Sequence, residues 1–320
     1  MRIAVMIEGQ EDVTWERWLR LTELAEWLGF DSLWRSDHLF SVIGVVERAT
    51  LALWPSLTAV ALKTTHITFG PLVSPVSFRH PVELAQNAVA LDRLSGGRFV
   101  LGVGAGWYER EHRAFGFPLL SVRERMDRLE EALEVIRLLW SGEKVSFVGR
   151  YYQLHDAILR PRPLRDTGVP IVIGGRGEQR TLRLAARYAA EWNVTNVDLE
   201  EHRHKIAILA ERCREVGRDP DAIIRSWMVA HILGRTADEV RERAERIKRW
   251  FPHWQQASAD EVIAEARRRS WLVGTVEEVA EQIRARAAIG VQRVMLQTFD
   301  LDDTDAVRLI AEELIPAVAD

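Results

Sequence analysis

The chain is predicted to fold as an α/β protein, a (β/α)8 TIM barrel carrying insertions. Two observations predict it. Eight short β-branched runs alternate with amphipathic stretches of helical period, an order that calls for parallel strands covered by helices. The 320 residues also contain no internal repeat, low-complexity tract or linker that would divide them. Barrels of this class take such a length as one domain, so residues 1–320 are read as one domain with insertions near 143–162 and 251–272.

The elements follow in order. Ile3–Ile7 is the first strand. Thr14 is placed to cap a helix whose apolar positions Trp18, Leu21, Leu24, Ala25 and Leu28 keep the helical period, and Gly29 stops it. Ser32–Arg35 is the second strand, followed by irregular chain to about Pro55 and a helix around Ser56–Leu62. Ile67–Leu72 is the third strand. Its helix, Pro81–Leu94, opens with proline and ends before Gly96-Gly97. Phe99–Val103 is the fourth strand, and Arg123–Trp140 a helix rich in Glu/Arg pairs at helical spacing. Glu143–Arg162 reads as a hairpin, Val145–Phe147 against Tyr151–Leu154. Ile171–Ile173, Glu191–Val194 and Ile224–Leu233 are strands five to seven, each with its helix: Gln179–Tyr188, Leu199–Val216 and Ala237–Trp250. A tryptophan-containing insertion spans Phe251–Leu272. Thr275 with Glu278 forms a capping box for Val276–Ala288. Arg293–Gln297 is the eighth strand and Asp303–Val318 a closing helix.

Composition narrows the function classes. Hydrophobic residues make up 47% of the chain and charged residues 28%, an ordinary globular mixture. A net charge of −4 leaves no general footprint for nucleic acid. The single cysteine, Cys213, sits in a stretch read as an exposed helix; one cysteine excludes an internal disulfide and a cysteine-based metal site, and a reducing cytoplasm fits. The N-terminus lacks the pattern of a signal peptide, and no apolar run approaches the ~20 residues of a membrane span. Twelve tryptophans serve either core packing or an aromatic-walled pocket.

Barrel chemistry sits on the loops that follow the strand C-termini. After the second strand stand Asp37 and His38, an acid/base or positioning unit, or else a loop-capping aspartate beside a solvated histidine. After the third come Pro71 and Pro75, then Arg79 and His80, which suit an anion or cap the next helix. After the fourth, Gly102, Gly104 and Gly106 alternate, a spacing that lets backbone approach a flat ring or a phosphate and is not the dinucleotide fingerprint. After the fifth, Gly174, Gly175 and Gly177 lead into a helix start, with Arg176 and Arg180 beside them as partners for a phosphate. The remaining histidines have no metal-ligand spacing, and G-x-S-x-G, P-loop and H-E-x-x-H motifs are absent from the sequence. No metal site is expected.

The segments WRSDH, SFRHPVELAQNAVALDRLSGGRFVLGVGAGWYEREHRAFG, RMDRLEEALEVIRLLWSGEKVSFVGRYYQL and VPIVIGGRGEQRTLRLAARYAAEWN resemble the luciferase-like monooxygenase superfamily, most closely its F420-dependent class. The resemblance is dense over the first two thirds and thin beyond Glu200. It implies a bacterial luciferase-like barrel with an isoalloxazine-type ring at the strand C-termini. It further implies that His38 is a base toward a substrate hydroxyl, that Asp37 contacts the ring, and that Leu72–Val73 is a cis peptide buttressing it. Gly104, Ala105 and Gly106 would flank the ring, Gly174–Gly177 would hold the phosphate, and Asn193 and Thr195 would line the pocket. Two positions depart from the sugar-phosphate dehydrogenases of that class. Trp107 replaces the proton-donating glutamate after the third glycine, and Asp198 replaces a lysine of the substrate-phosphate site. A sugar phosphate is therefore not carried over, Trp107 suggests a more apolar substrate face, and His38 is left without a partner.

The function expected is hydride transfer between coenzyme F420 and a small organic substrate. An FMN-dependent two-component monooxygenase, which would need a flavin reductase, and a cofactor-less binding protein are the alternatives. A homodimer through an apolar patch near Trp15, Trp18 or Trp54 is compatible with either enzyme.

Overall fold

The computed structural model describes residues 1–319. Eight strands form the barrel: β1 (Arg2–Ile7), β2 (Ser32–Arg35), β3 (Thr68–Pro71), β4 (Leu101–Gly104), β5 (Ile171–Gly174), β6 (Glu191–Thr195), β7 (Ile224–Gly234) and β8 (Arg293–Thr298). All pair in parallel, with β8 between β1 and β7. The ring closes where Phe69 of β3 bridges Phe99 just before β4, through Phe69 N to Arg98 O (3.2 Å) and Val100 N to Phe69 O (3.0 Å).

Strand alternation sorts the core into two layers. Ala4, Met6, Trp34, Leu72, Val172 and Met295 pack together inside the barrel. Ile3, Val5, Ile7, Leu33 and Phe69 pack outward with the helices. At the N-terminal end of the barrel, Glu191, Arg293 and Asp31 form a linked ion pair, with Arg293 Nε donating to Asp31 at 2.7 Å.

Helix starts follow the caps. The Thr14 hydroxyl accepts from Arg17 N, and the helix is Trp15–Trp27. Pro81–Leu94 has the expected bounds, and the Thr275–Glu278 capping box is formed. Val145–Val148 and Gln153–Ala157 make the antiparallel hairpin.

Several expectations are corrected. Cys213 is buried, on the inner face of Leu199–Glu215, because that helix packs Leu209 and Cys213 together into the core. Trp18 has no exposed surface and leaves the proposed apolar patch, its indole N–H donating to Ser56 O at 2.9 Å; Trp15 remains 46% exposed. Within the insertion read at 251–272 lies a helix, Ala259–Arg268, and at its end begins a strand, Leu272–Thr275, that extends the sheet beside the last residues of β7. The closing helix is interrupted by a π turn at Ile310–Leu314 ahead of Pro316. A six-residue helix, Glu109–Ala114, lies directly behind the glycine loop where none was expected. No helix among the described residues is long and apolar enough to cross a membrane.

Candidate active site

A cavity of about 1110 Å³ opens at the C-terminal ends of the strands. It gathers Asp37, His38, Leu72, Val73, Gly104, Ala105, Gly106, Trp107, Gly174, Gly175, Arg176, Asn193 and Thr195. Gly177 lies outside the lining, one residue beyond, where its carbonyl accepts from Leu182 N in the first turn of Thr181–Tyr188. Arg180 also lies outside it. Its guanidinium pairs with Asp127 and Glu130 on the neighbouring helix, so the positive charge expected for a phosphate is already neutralised.

His38 has a partner that the sequence did not reveal. Its Nδ1 is 3.1 Å from Glu111 Oε2, and Glu111, on the short helix behind the glycine loop, is buried and also accepts from Leu39 N. Burial pushes the imidazole pKa down, but the hydrogen bond and charge of Glu111 outweigh it and hold His38 above the ordinary histidine value. An ionised Glu111 accepts from Nδ1–H, which fixes the neutral ring as the tautomer with Nε2 able to take a proton. Trp107 and Tyr108 meet the ring edge-on at 5.8 and 6.1 Å and restrict its rotation.

Asp37 is held differently. Arg79 donates to both its oxygens (3.0 and 2.7 Å), and the Ser74 hydroxyl donates at 2.9 Å. Arg79 is thereby assigned to Asp37, and His80 caps Pro81–Leu94 by accepting from Val82 N.

The Leu72–Val73 peptide is cis. The bulge it makes explains two glycines better than phosphate binding does. A Cβ on Gly104 would lie 2.7 Å from Val73 Cγ2, and one on Gly102 would lie 1.9 Å from Pro71 O. Gly106 takes φ +80°, a left-handed conformation that favours glycine. There the loop is fixed by Arg125, which donates to Gly106 O, and by Ser77, whose hydroxyl is 2.8 Å from His112 Nε2. Asn193 donates to Ser226 Oγ at 3.0 Å. Arg176 donates to Asn196 O at 2.9 Å and is otherwise exposed at the mouth. Asp198 caps the helix Leu199–Glu215, its side chain accepting from Glu201 N at 2.8 Å.

Two further groups line the cavity unannounced. Glu8, at the end of β1, accepts from Gln10 Nε2 (2.8 Å) and from Gln297 Nε2 at the end of β8. In the sequence it only broke an apolar run, although a carboxylate at a strand C-terminus was a usable signal. Phe251, Trp271 and Phe299 supply an aromatic wall from the C-terminal third. Among the described residues no group of histidine, cysteine and carboxylate side chains could hold a metal ion.

The family model described as luciferase-like monooxygenase matches residues 1–293. The chain is 32% identical over 308 residues to an F420-dependent glucose-6-phosphate dehydrogenase of Microbacterium testaceum, covering 92% of this chain and 90% of that one. It is 30% identical over 310 residues to a 4-hydroxyprotoasukamycin monooxygenase of Streptomyces nodosus subsp. asukaensis, covering 89% and 82%. A solved F420-dependent secondary alcohol dehydrogenase, in complex with an F420-acetone adduct, superposes over the whole of both chains with a TM-score of 0.84 at 24% identity, a likeness of fold.

Proposed function

Because the chain belongs to the luciferase-like monooxygenase family and is an oxidoreductase, we propose that it exchanges a hydride between coenzyme F420 and a small organic alcohol or carbonyl. The observation that carries this reading is the His38–Glu111 pair at the cavity. Interconverting C–OH and C=O moves one proton at oxygen for each hydride at carbon, and a buried carboxylate that fixes the imidazole tautomer equips Nε2 to handle that proton. In the oxidising direction Nε2 would take the hydroxyl proton as the C=O bond forms, and a bound deazaflavin would supply the acceptor for the hydride that leaves carbon.

The residues fit a flat ring. Met6, Leu72, Val73 and Met228 give the cavity an apolar floor, while Glu8, Asn193 and Gln297 give it one polar edge. When bound, the deazaflavin supplies two-electron hydride chemistry. Val73 would back the ring, Gly104, Ala105 and Gly106 would flank it, and Asp37 would contact it while tied to Arg79 and Ser74 beside the Leu72–Val73 bulge. Gly174, Gly175 and the exposed Arg176 would hold the phosphate and the acidic tail; Gly177 shapes that turn from behind. Trp107 and Thr195 border the substrate.

A second reading, an FMN-dependent two-component monooxygenase working with a flavin reductase, is supported by the relative named as a monooxygenase. Titration with F420 and separately with FMN, read by fluorescence quenching, tests the two. F420 binding at least about tenfold tighter than FMN, followed by anaerobic F420 reduction with secondary alcohols, is the expected result. Preference for FMN transfers the chain to the second reading, and binding of neither removes both, leaving a cofactor-less barrel.

A further inference from the structure

The cavity has a half that the proton relay does not use. It is built beyond the barrel rim, where β7 runs past its neighbours and Leu272–Thr275 pairs with its last residues. That extension sets Trp271 beside Phe299, which follows β8. Their rings stack at 5.9 Å and 21°. Phe251 meets Phe299 edge-on at 5.0 Å and Trp271 at 5.5 Å, and Trp254 supports Trp271 from behind at 5.3 Å. Ile43 packs on the same cluster and also lines the cavity, five residues along the loop that carries His38. The aromatic wall and the proton-handling ring are thus two parts of one continuous surface.

Three properties of this surface select a ligand. Packed rings lose little freedom on binding, and they favour offset contact with another π-face beyond what apolar area alone supplies. The nearby charges are spent: Arg268 and Arg269 lie at the rim, but both are held by Glu265, at 2.6 and 2.8 Å. The cavity, at about 1110 Å³, also exceeds the roughly 300–1,000 Å³ that holds one drug-sized molecule, so a cofactor ring and a sizeable substrate fit together.

We infer that the substrate is a flat, apolar alcohol or ketone bearing fused rings, which stack on the Trp271–Phe299–Phe251 wall while its C–O group meets His38 Nε2. This rests on the hydride-exchange reading above for the reacting end, and on the wall alone for the ring end.

Calorimetric titration with methyl naphthyl ketone and with a linear methyl ketone of equal carbon number, on the protein alone and with F420 added, tests it. The naphthyl ketone is expected to bind about tenfold more tightly. Trp271→Leu removes that preference, Trp271→Phe restores most of it, and the linear ketone changes less than about twofold across all three proteins. Equal affinities in the wild type, or a Trp271→Leu loss shared equally by both ketones, overturns the inference. Quenching of F420 is recorded for each protein, and circular dichroism with thermal unfolding checks that the variants fold. Ring preference without F420 binding removes the cofactor reading and with it the reacting end, and leaves the ring end standing; F420 binding without ring preference removes the ring end and leaves the cofactor reading.

Discussion

At His38 two forces oppose each other, burial against a carboxylate, and the carboxylate wins. This has a consequence for the pH profile. A base acting on a hydroxyl works only when deprotonated, so oxidation falls as pH drops through the raised His38 pKa. Glu111→Gln removes the charge and leaves the burial, so the pKa falls and the acid limb of kcat/KM moves to lower pH. The replacement keeps the side-chain volume but no longer enforces one tautomer. Rate measurements across pH are expected to show kcat lowered by about tenfold to a hundredfold, with F420 affinity little changed. His38→Gln is the harsher change, removing the group proposed as the base, and is expected to cost about a hundredfold to ten-thousandfold. An unshifted acid limb in Glu111→Gln would show that the carboxylate only packs the ring.

Among the elements, the β3–β4 end of the barrel shows why the glycine loop has its spacing. The β-branched Val73 projects toward the end of β4 and has few rotamers with which to give way. Gly104→Ala is therefore expected to destabilise by about 1–3 kcal/mol and to weaken F420 binding. Adding Val73→Ala should recover much of that loss, because the two side chains compete for one space. Urea unfolding of the single and double variants measures the coupling, and additive losses would rule it out. The three glycines were legible as a close approach, while the cause at Gly104 was not, since Val73 stands about thirty residues earlier in the sequence. Elements were legible where a local signal fixed them: Thr14, Pro81 and the Thr275–Glu278 box each mark a helix start that depends on neighbours within four residues. The helix Glu109–Ala114 was not legible, because six residues with two buried positions carry no period, and Glu111 was missed with it. Cys213 was misjudged for a related reason: Arg212 and Arg214 flank it, and only the helix's rotation against the core decides that it points inward.

Over the whole molecule the two ends of the barrel divide the work. The C-terminal end gathers His38, Glu111, Asp37 and Glu8 around a cavity. The N-terminal end carries a charge cluster outside that cavity's lining, in which Arg293 at the start of β8 joins Glu191 at the start of β6 to Asp31 ahead of β2. Conservative changes at the two ends should therefore separate activity from stability. Arg293→Met keeps the length of the side chain and removes its charge, leaving Glu191 buried without its cation; breaking such a pair costs about 3–5 kcal/mol. Burial already raises the Glu191 pKa despite Arg293, and losing the arginine raises it further. A carboxylate whose folded pKa is raised contributes its stability at pH values below its unfolded pKa and loses it as pH rises through the folded one. The variant is accordingly expected to be most impaired above neutrality and partly rescued toward pH 5. At 15 °C, where enough remains folded, its kcat per folded molecule should match the wild type, because the cluster is at the opposite end of the strands from the cavity. Thermal unfolding from pH 5 to pH 8, with turnover normalised to the folded fraction, checks both halves. A loss of kcat in molecules that remain folded would show that the barrel couples its two ends.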